Sequence, residues 1–314
     1  MGNTTMIMIV VVYSVIIIYV VGKMKKMSNK NITLIDADFL CYIGGKDDTL
    51  SDILEKVDYK IDSILKETGA DFYVLFTSKG KYFRHNLKDK QEDKGSYKAN
   101  RTYKGQEYSK TIKEYLIAKY DAQYKLMSEA DDLCTYWIVR NLYLNELPNK
   151  YIIDNFVPES KEVIKSTLCN NILVSCDKDL LQSISGKHLN PNKKVAPDTW
   201  DMVWIETSME DSELFVKSQI IIGDASDGVP GLYRKGEAFW RKLIAESTPR
   251  WGDILNLYIN DFGDAQGIYE FQKNYRLLHL LRTDVDWLRE VGSLPTLPRF
   301  NEVLKENEDT NPLF

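Results

Sequence analysis

Four short acidic clusters recur along the chain: Asp36-Ala37-Asp38, Glu129-Ala130-Asp131-Asp132, Asp177-Lys178-Asp179 and Asp224-Ala225-Ser226-Asp227. Each follows or opens an apolar run, where a fold can pin a carboxylate. Carboxylates held together repel one another and resist ionising together. A bound cation relieves that repulsion, and an oxygen-only ligand set suits Mg²⁺ or Mn²⁺. The matching substrate is a phosphodiester, because two ions can stabilise both the attacking and the leaving oxygen.

Each cluster also has a plainer reading. Asp36 alone is an ordinary turn residue after a strand, and Asp38 would point to the opposite side. In Ser128-Glu129-Ala130-Asp131-Asp132, Ser128 suits an N-cap, Asp131 the capping-box position, and acids suit the positive end of a helix. Three acids nevertheless exceed what a cap requires. Asp177 and Asp179 form either a claw for one cation or an Asx turn before a helix. The stretch Ile221 to Leu232 (IIGDASDGVPGL) is the most specific. An apolar helix ends there in a Gly/Pro turn and restarts at Lys235-Gly236, a helix–turn–helix that presents backbone amides to phosphate.

The elements that must position these acids follow from periodicity. Asn31–Ile35, Asp71–Thr77 and Asn171–Ser175 read as buried strands, with a short further one at Lys187–Leu189. Helices are expected over Leu50–Thr68, Thr111–Met127, Ala130–Tyr143, Phe215–Ile222 and Lys235–Glu246. Strands alternating with helices imply an α/β domain with a mainly parallel sheet. In such sheets sites form beyond the carboxyl ends of the strands, where Asp36 and Asp177 both fall.

The net charge of −5 conceals an uneven distribution. Between Lys79 and Lys125 there are 13 Lys/Arg against 6 Asp/Glu, so the rest of the chain is strongly acidic. Eight Tyr/Phe lie among these basic residues. Lysine and arginine grip phosphates and aromatic rings stack on unpaired bases; the plain alternative is a solvated helix face. Cys41, Cys134, Cys169 and Cys176 lack CxxC spacing and read as buried free thiols of a reducing compartment. The three histidines are not spaced as a metal pair, which argues against a zinc hydrolase.

Residues 6–21 form an uncharged apolar run followed by Lys23, Lys25 and Lys26. Three readings stay open: a short membrane anchor holding the body in the host cytoplasm, a signal peptide lacking the usual flanks, or upstream sequence ahead of a start at Met24 or Met27. The end, Glu306 to Phe314, is either a frayed terminus or an acidic docking peptide for a replication partner.

The pieces ITLIDADFL, YKANR, SEADDL, ILVSCDKDLLQ and IIGDASDGVPGL, in that order over about Asn31 to Ala245, resemble the 5′-nuclease superfamily. That superfamily includes flap endonucleases, the 5′-nuclease domain of bacterial DNA polymerase I and the 5′–3′ exonucleases of tailed phages, the last being the most similar. The resemblance implies a PIN-like α/β core over 28–215 with a basic gateway at 79–125. A helical duplex-binding subdomain at 216–300 with a helix–three-turn–helix element would follow, and then an acidic tail at 301–314. Residues 1–27 would lie outside the fold.

Asp36, Glu129 and Asp131, with Asp132 close by, would hold a first Mg²⁺ or Mn²⁺, and Asp177, Asp179, Asp224 and Asp227 a second. Lys98 and Arg101 would contact the scissile phosphate. Arg84, Lys104, Gly228, Gly231 and Lys235 would join them on the DNA, with K⁺ at the Gly228–Leu232 turn. Ser78 departs from the pattern, standing where the superfamily has an acid after the second strand.

The implied activity is metal-dependent 5′–3′ exonuclease or flap cleavage of DNA, or of RNA primers in an RNA–DNA hybrid, in phage replication or recombination. The alternative is a binding protein for branched DNA that has lost turnover. A PIN-type ribonuclease fits less well, because cutting single strands needs no duplex anchor.

Overall fold

The computed structural model describes residues 30–45, 47–87, 108–146, 170–197, 199–296 and 299–303. The apolar segment 6–21, Lys98, Arg101, Lys104, Cys169 and the acidic tail lie outside the described residues. Among those described, no helix is long and apolar enough to cross a membrane.

The central strand is β1, Asn31–Asp36. Ile32, Thr33, Leu34 and Ile35 are wholly buried, as a strand covered on both faces requires. The hydroxyl of Thr33 would be costly there without a partner. It donates to Thr68 Oγ1 at 2.8 Å, and Thr68 passes its own proton to Ile64 O.

Strand β2 (Phe72–Phe76) and strand β3 (Asn170–Val174) pair parallel with β1 on its two sides. Strand β4 (Gly186–Ala196) continues parallel beside β3, and β5 (Thr199–Thr207) folds back antiparallel on β4. Only Lys187–Leu189 of this hairpin is apparent in the pattern. From Lys193 to Ala196 the strand is exposed on both faces, so burial marks only its root. The ribbon β6 (Gly223–Asp224) with β7 (Val229–Pro230) forms a separate small sheet. Strand β8 (Asn301–Glu302) closes the other edge by pairing antiparallel with β2, giving a six-stranded sheet in the order β5-β4-β3-β1-β2-β8.

Helices cover both faces. Helix α1 (Leu50–Glu67) is started by a Thr49–Asp52 capping box and buries Ile53, Val57, Ile61 and Ile64. It shares a core with Ile35, Leu75 and Val174, and with Leu116 of α2 (Ser109–Tyr120). On the opposite face α3 (Ala130–Glu146) sets Trp137 and Tyr136 against Leu34, Val74 and Leu173.

Helix α4 (Lys178–Ser183) follows β3, and α5 (Met209–Ile222) leads into the β6–β7 ribbon. Helices α6 (Glu237–Glu246), α7 (Trp251–Phe262) and α8 (Asp264–Leu278) form a third core around Trp240, Ile254 and Tyr258. Helix α9 (Asp284–Glu290) returns to the main sheet, where Trp287 and Leu281 join the core under α3. The position 215/216 lies inside the continuous helix α5, and the chain after it returns to the core under α3.

Candidate metal centre and duplex-binding turn

Register brings the first acids together. Asp36 is paired with Phe76, and its predecessor Ile35 with Val174. The residues just past β2 and β3, Thr77-Ser78 and Ser175, therefore flank the Asp36 carboxylate. Ser175 donates to Asp36 Oδ2 at 2.8 Å and accepts from Asp177 N at 3.0 Å. Burial, then the charges of Asp38 and Asp177, push the Asp36 carboxyl up to about 7.

Asp38 lies on the β2 side. Its Oδ1 accepts from Thr77 Oγ1, Ser78 N and Lys113 Nζ at 2.8, 3.0 and 2.9 Å. Burial pushes the Cys134 thiol on α3 well above its ordinary value, and the charges of Asp36, Asp131 and Asp38 add to that shift.

Helix α3 begins one residue later than its capping pattern suggests. Ser128 donates to Lys125 O at 3.0 Å instead of capping, and Asp132, not Asp131, reaches back to accept from Glu129 N at 3.2 Å. Ser78 supplies the missing cap from another element, its Oγ accepting from Ala130 N at 2.8 Å.

Glu129, Asp131 and Asp132 can each bring one carboxylate oxygen within 4.8 Å of the others. Asp132 is also tied into the surrounding fold. It is fully buried, both oxygens bond Arg84, and they also accept from Glu129 N and Leu281 N. Arg84, expected on DNA, is corrected: only 1% exposed, it is an internal guanidinium that holds Asp132 and Glu129.

Asp177 is the N-cap of α4, accepting from Asp179 N at 2.8 Å. Asp179 faces Asp224 of β6. Burial first, then Asp177 and Asp224, push the Asp179 carboxyl up to about 8. Burial also works against charge on Asp224, but bonds from Ser226 N and Oγ at 2.7 and 2.6 Å outweigh it and hold this carboxyl below its ordinary value. Asp179 thus carries the proton of that pair. Asp227 belongs to the same turn through its N–H, which reaches Asp224 Oδ1 at 3.3 Å.

Among the described residues, Glu129, Asp131 and Asp132 form the group whose oxygens could close on one divalent cation, and Asp179 is a further candidate ligand. Asp179 Oδ1 is buried without a hydrogen-bond partner among the described residues. Carboxylates that must keep protons in the metal-free protein are the groups a cation would ionise. The neighbouring thiols compete poorly as ligands, since burial pushes Cys41 up to about 11 and Cys176 up to about 12. Cys41 and Cys134 are buried, whereas Cys176 is partly exposed.

The Gly/Pro turn is built for close backbone approach. A Cβ on Gly231 would lie 2.1 Å from the carbonyl carbon of Ile222, so no side chain fits. Asn274 of α8 donates to Pro230 O at 2.7 Å and to Tyr258 Oη at 2.8 Å, and Tyr258 donates to Ile220 O. Gly228 takes φ +71° in this turn. Lys235, expected on the duplex, is largely covered and ion-paired with Asp261.

No protein-family profile matches the chain, and no curated protein matches it in sequence. Solved structures do. A bacteriophage T5 flap endonuclease, in a pseudo-enzyme–product complex with DNA and metal ions, is 18% identical with a TM-score of 0.56, over 84% of this chain and 94% of that one. A second T5 structure, co-crystallised with metal ions, is 17% identical with a TM-score of 0.53, over 83% of this chain and 94% of the other. The T5 5′-exonuclease with bound zinc is 16% identical with a TM-score of 0.52, over 83% and 94%. The fold is therefore that of the 5′-nucleases: a mostly parallel PIN-like sheet flanked by helices.

Proposed function

We propose that this chain is a divalent-cation-dependent nuclease acting on DNA at 5′ ends or 5′ flaps. The observation that carries the reading is the buried acidic cluster at the start of α3, where Glu129, Asp131 and Asp132 can bring oxygens within 4.8 Å of one another, on a fold shared with metal-binding T5 nuclease structures. Asp36, Glu129 and Asp131 would hold one ion, and Asp177, Asp179, Asp224 and Asp227 the other. Bound there, Mg²⁺ or Mn²⁺ would supply Lewis acidity and a nucleophilic water at neutral pH.

The chain's own part is positioning. Ser175 orients Asp36 and the Asp177 turn together. Ser226 keeps Asp224 charged. Lys98 and Arg101 would stabilise charge developing on the scissile phosphate. Lys104 and the rest of the strip would guide the 5′ strand, and the Gly228–Gly231 turn, with or without K⁺, would grip the duplex behind the cut. An RNA strand in an RNA–DNA hybrid is a second substrate to assay, and a role in phage replication or recombination rests on resemblance alone.

Replacing Asp177 and Asp179 together with Ala should abolish cleavage and leave duplex binding largely intact; retained cleavage would refute the site. One observation favours a turnover-deficient DNA-binding protein instead: Ser78, in the place of an acid, is already committed to capping α3. Tight binding of a flap without cleavage in Mg²⁺ or Mn²⁺ would decide for that reading.

A further inference from the structure

We infer that Arg84 is a positioning residue of the metal centre, fixing the Glu129 carboxylate and tying it to the helix that supports the duplex turn. This rests on the cation-binding reading above. All five guanidinium N–H groups are engaged. Nη1 bonds Glu129 Oε2 and Asp132 Oδ2, both at 2.8 Å. Nη2 bonds Asp132 Oδ1 at 2.7 Å and His279 O at 3.1 Å, and Nε bonds Leu277 O at 3.1 Å.

Two of these partners are backbone carbonyls at the end of α8. Three residues before Leu277 on the same helix, Asn274 fixes Pro230 O in the turn. The following corner sends Arg282 Nη2 to Ser183 O, 2.6 Å away at the end of α4, whose N-cap is Asp177. One segment, Asn274 to Arg282, thereby touches the turn and both helices that carry metal-site acids.

A guanidinium is suited to this task. Its planar fork satisfies Asp132 bidentately and still has a hydrogen on Nη1 for Glu129, whereas an ammonium cannot span these directions. Partners that orient a metal-ligating side chain typically contribute roughly 10–100-fold in metal affinity or activity. The simpler alternative is that Arg84 only neutralises the buried Asp132, because breaking such a pair leaves an unpaired charge.

Two variants separate these roles. Arg84→Lys keeps the charge beside Asp132, and Arg84→Met combined with Asp132→Asn removes both charges. Thermal unfolding, Mn²⁺ affinity by isothermal titration and duplex binding in EDTA are measured for each. The inference expects cooperative unfolding, Mn²⁺ affinity weakened by about tenfold or more, and duplex binding in EDTA close to wild type. A Mn²⁺ affinity within about twofold of wild type in either variant would show that Arg84 only balances charge, and would overturn the inference. Failure of the underlying metal reading shows itself separately, as wild-type protein that takes up no Mn²⁺.

Discussion

Without divalent cations, this protein should lose stability as the pH rises through neutrality. Asp36 and Asp179 are held at about 7 and about 8, against an ordinary 3.8. Between about pH 4 and pH 8 the folded chain therefore keeps protons that the unfolded chain has released, and the stability they confer is lost as the pH climbs through the folded values. From about pH 6.5 to about pH 8.5 the loss is about 2 kcal/mol from Asp179 and about 1 kcal/mol from Asp36. For a chain of this size that lowers the melting temperature by roughly 4 °C.

His188 and His279, both held below their ordinary value by burial, act in the opposite sense below about pH 6.5, so the higher window is the informative one. Melting in EDTA at both pH values, for wild type and for Asp179→Asn, reads the effect directly. The variant should lose most of the slope. Titration of Mn²⁺ at pH 7 in two buffers of different ionisation enthalpy should show release of roughly one to two protons. A melting temperature that holds or rises over this window in EDTA, or an Asp179→Asn slope equal to wild type, would refute the electrostatic account of the centre.

Other perturbations have equally definite outcomes. Gly231→Ala would force a methyl into the Ile222 backbone, so duplex affinity should fall by at least about tenfold and stability by a few kcal/mol, read by fluorescence anisotropy and melting. Ser78→Ala removes the cap on Ala130 N and should cost about 1 kcal/mol in denaturant unfolding. DNA affinity should fall steeply between 50 and 200 mM salt, by about 10³-fold or more if six or more phosphates are contacted; a flat dependence would count against backbone gripping by the basic strip.

Much of the fold was legible because burial on both faces makes β1, β2 and β3 continuous apolar runs, and because α1 carries a clear capping box and helical stripe. The closeness of Asp36 and Asp177, bridged by Ser175, was legible for a related reason: strand ends in a parallel sheet lie along one edge. What escaped was decided by long-range contacts. Arg84 sits in a basic stretch that reads as surface, yet it is buried because Glu129 and Asp132 lie 45 and 48 residues further on. Asp132 and Asp131 look interchangeable in sequence, and only the pitch of α3 turns one toward Arg84. The hairpin β4–β5 was only partly legible: its root packs Leu189, Met202, Trp204 and Ile205 against the cores, whereas residues 192–197 at its far end are exposed. Ser78 as a cap for α3 has no local signal at all, because donor and acceptor are 52 residues apart.

The most direct test follows the protein on a 5′-labelled duplex and a matched 5′ flap, with Mg²⁺, Mn²⁺ or EDTA. The account predicts labelled 5′ products in either metal and none in EDTA, with product length separating exonuclease from flap cutting. Tight flap binding with no product in any condition would contradict it.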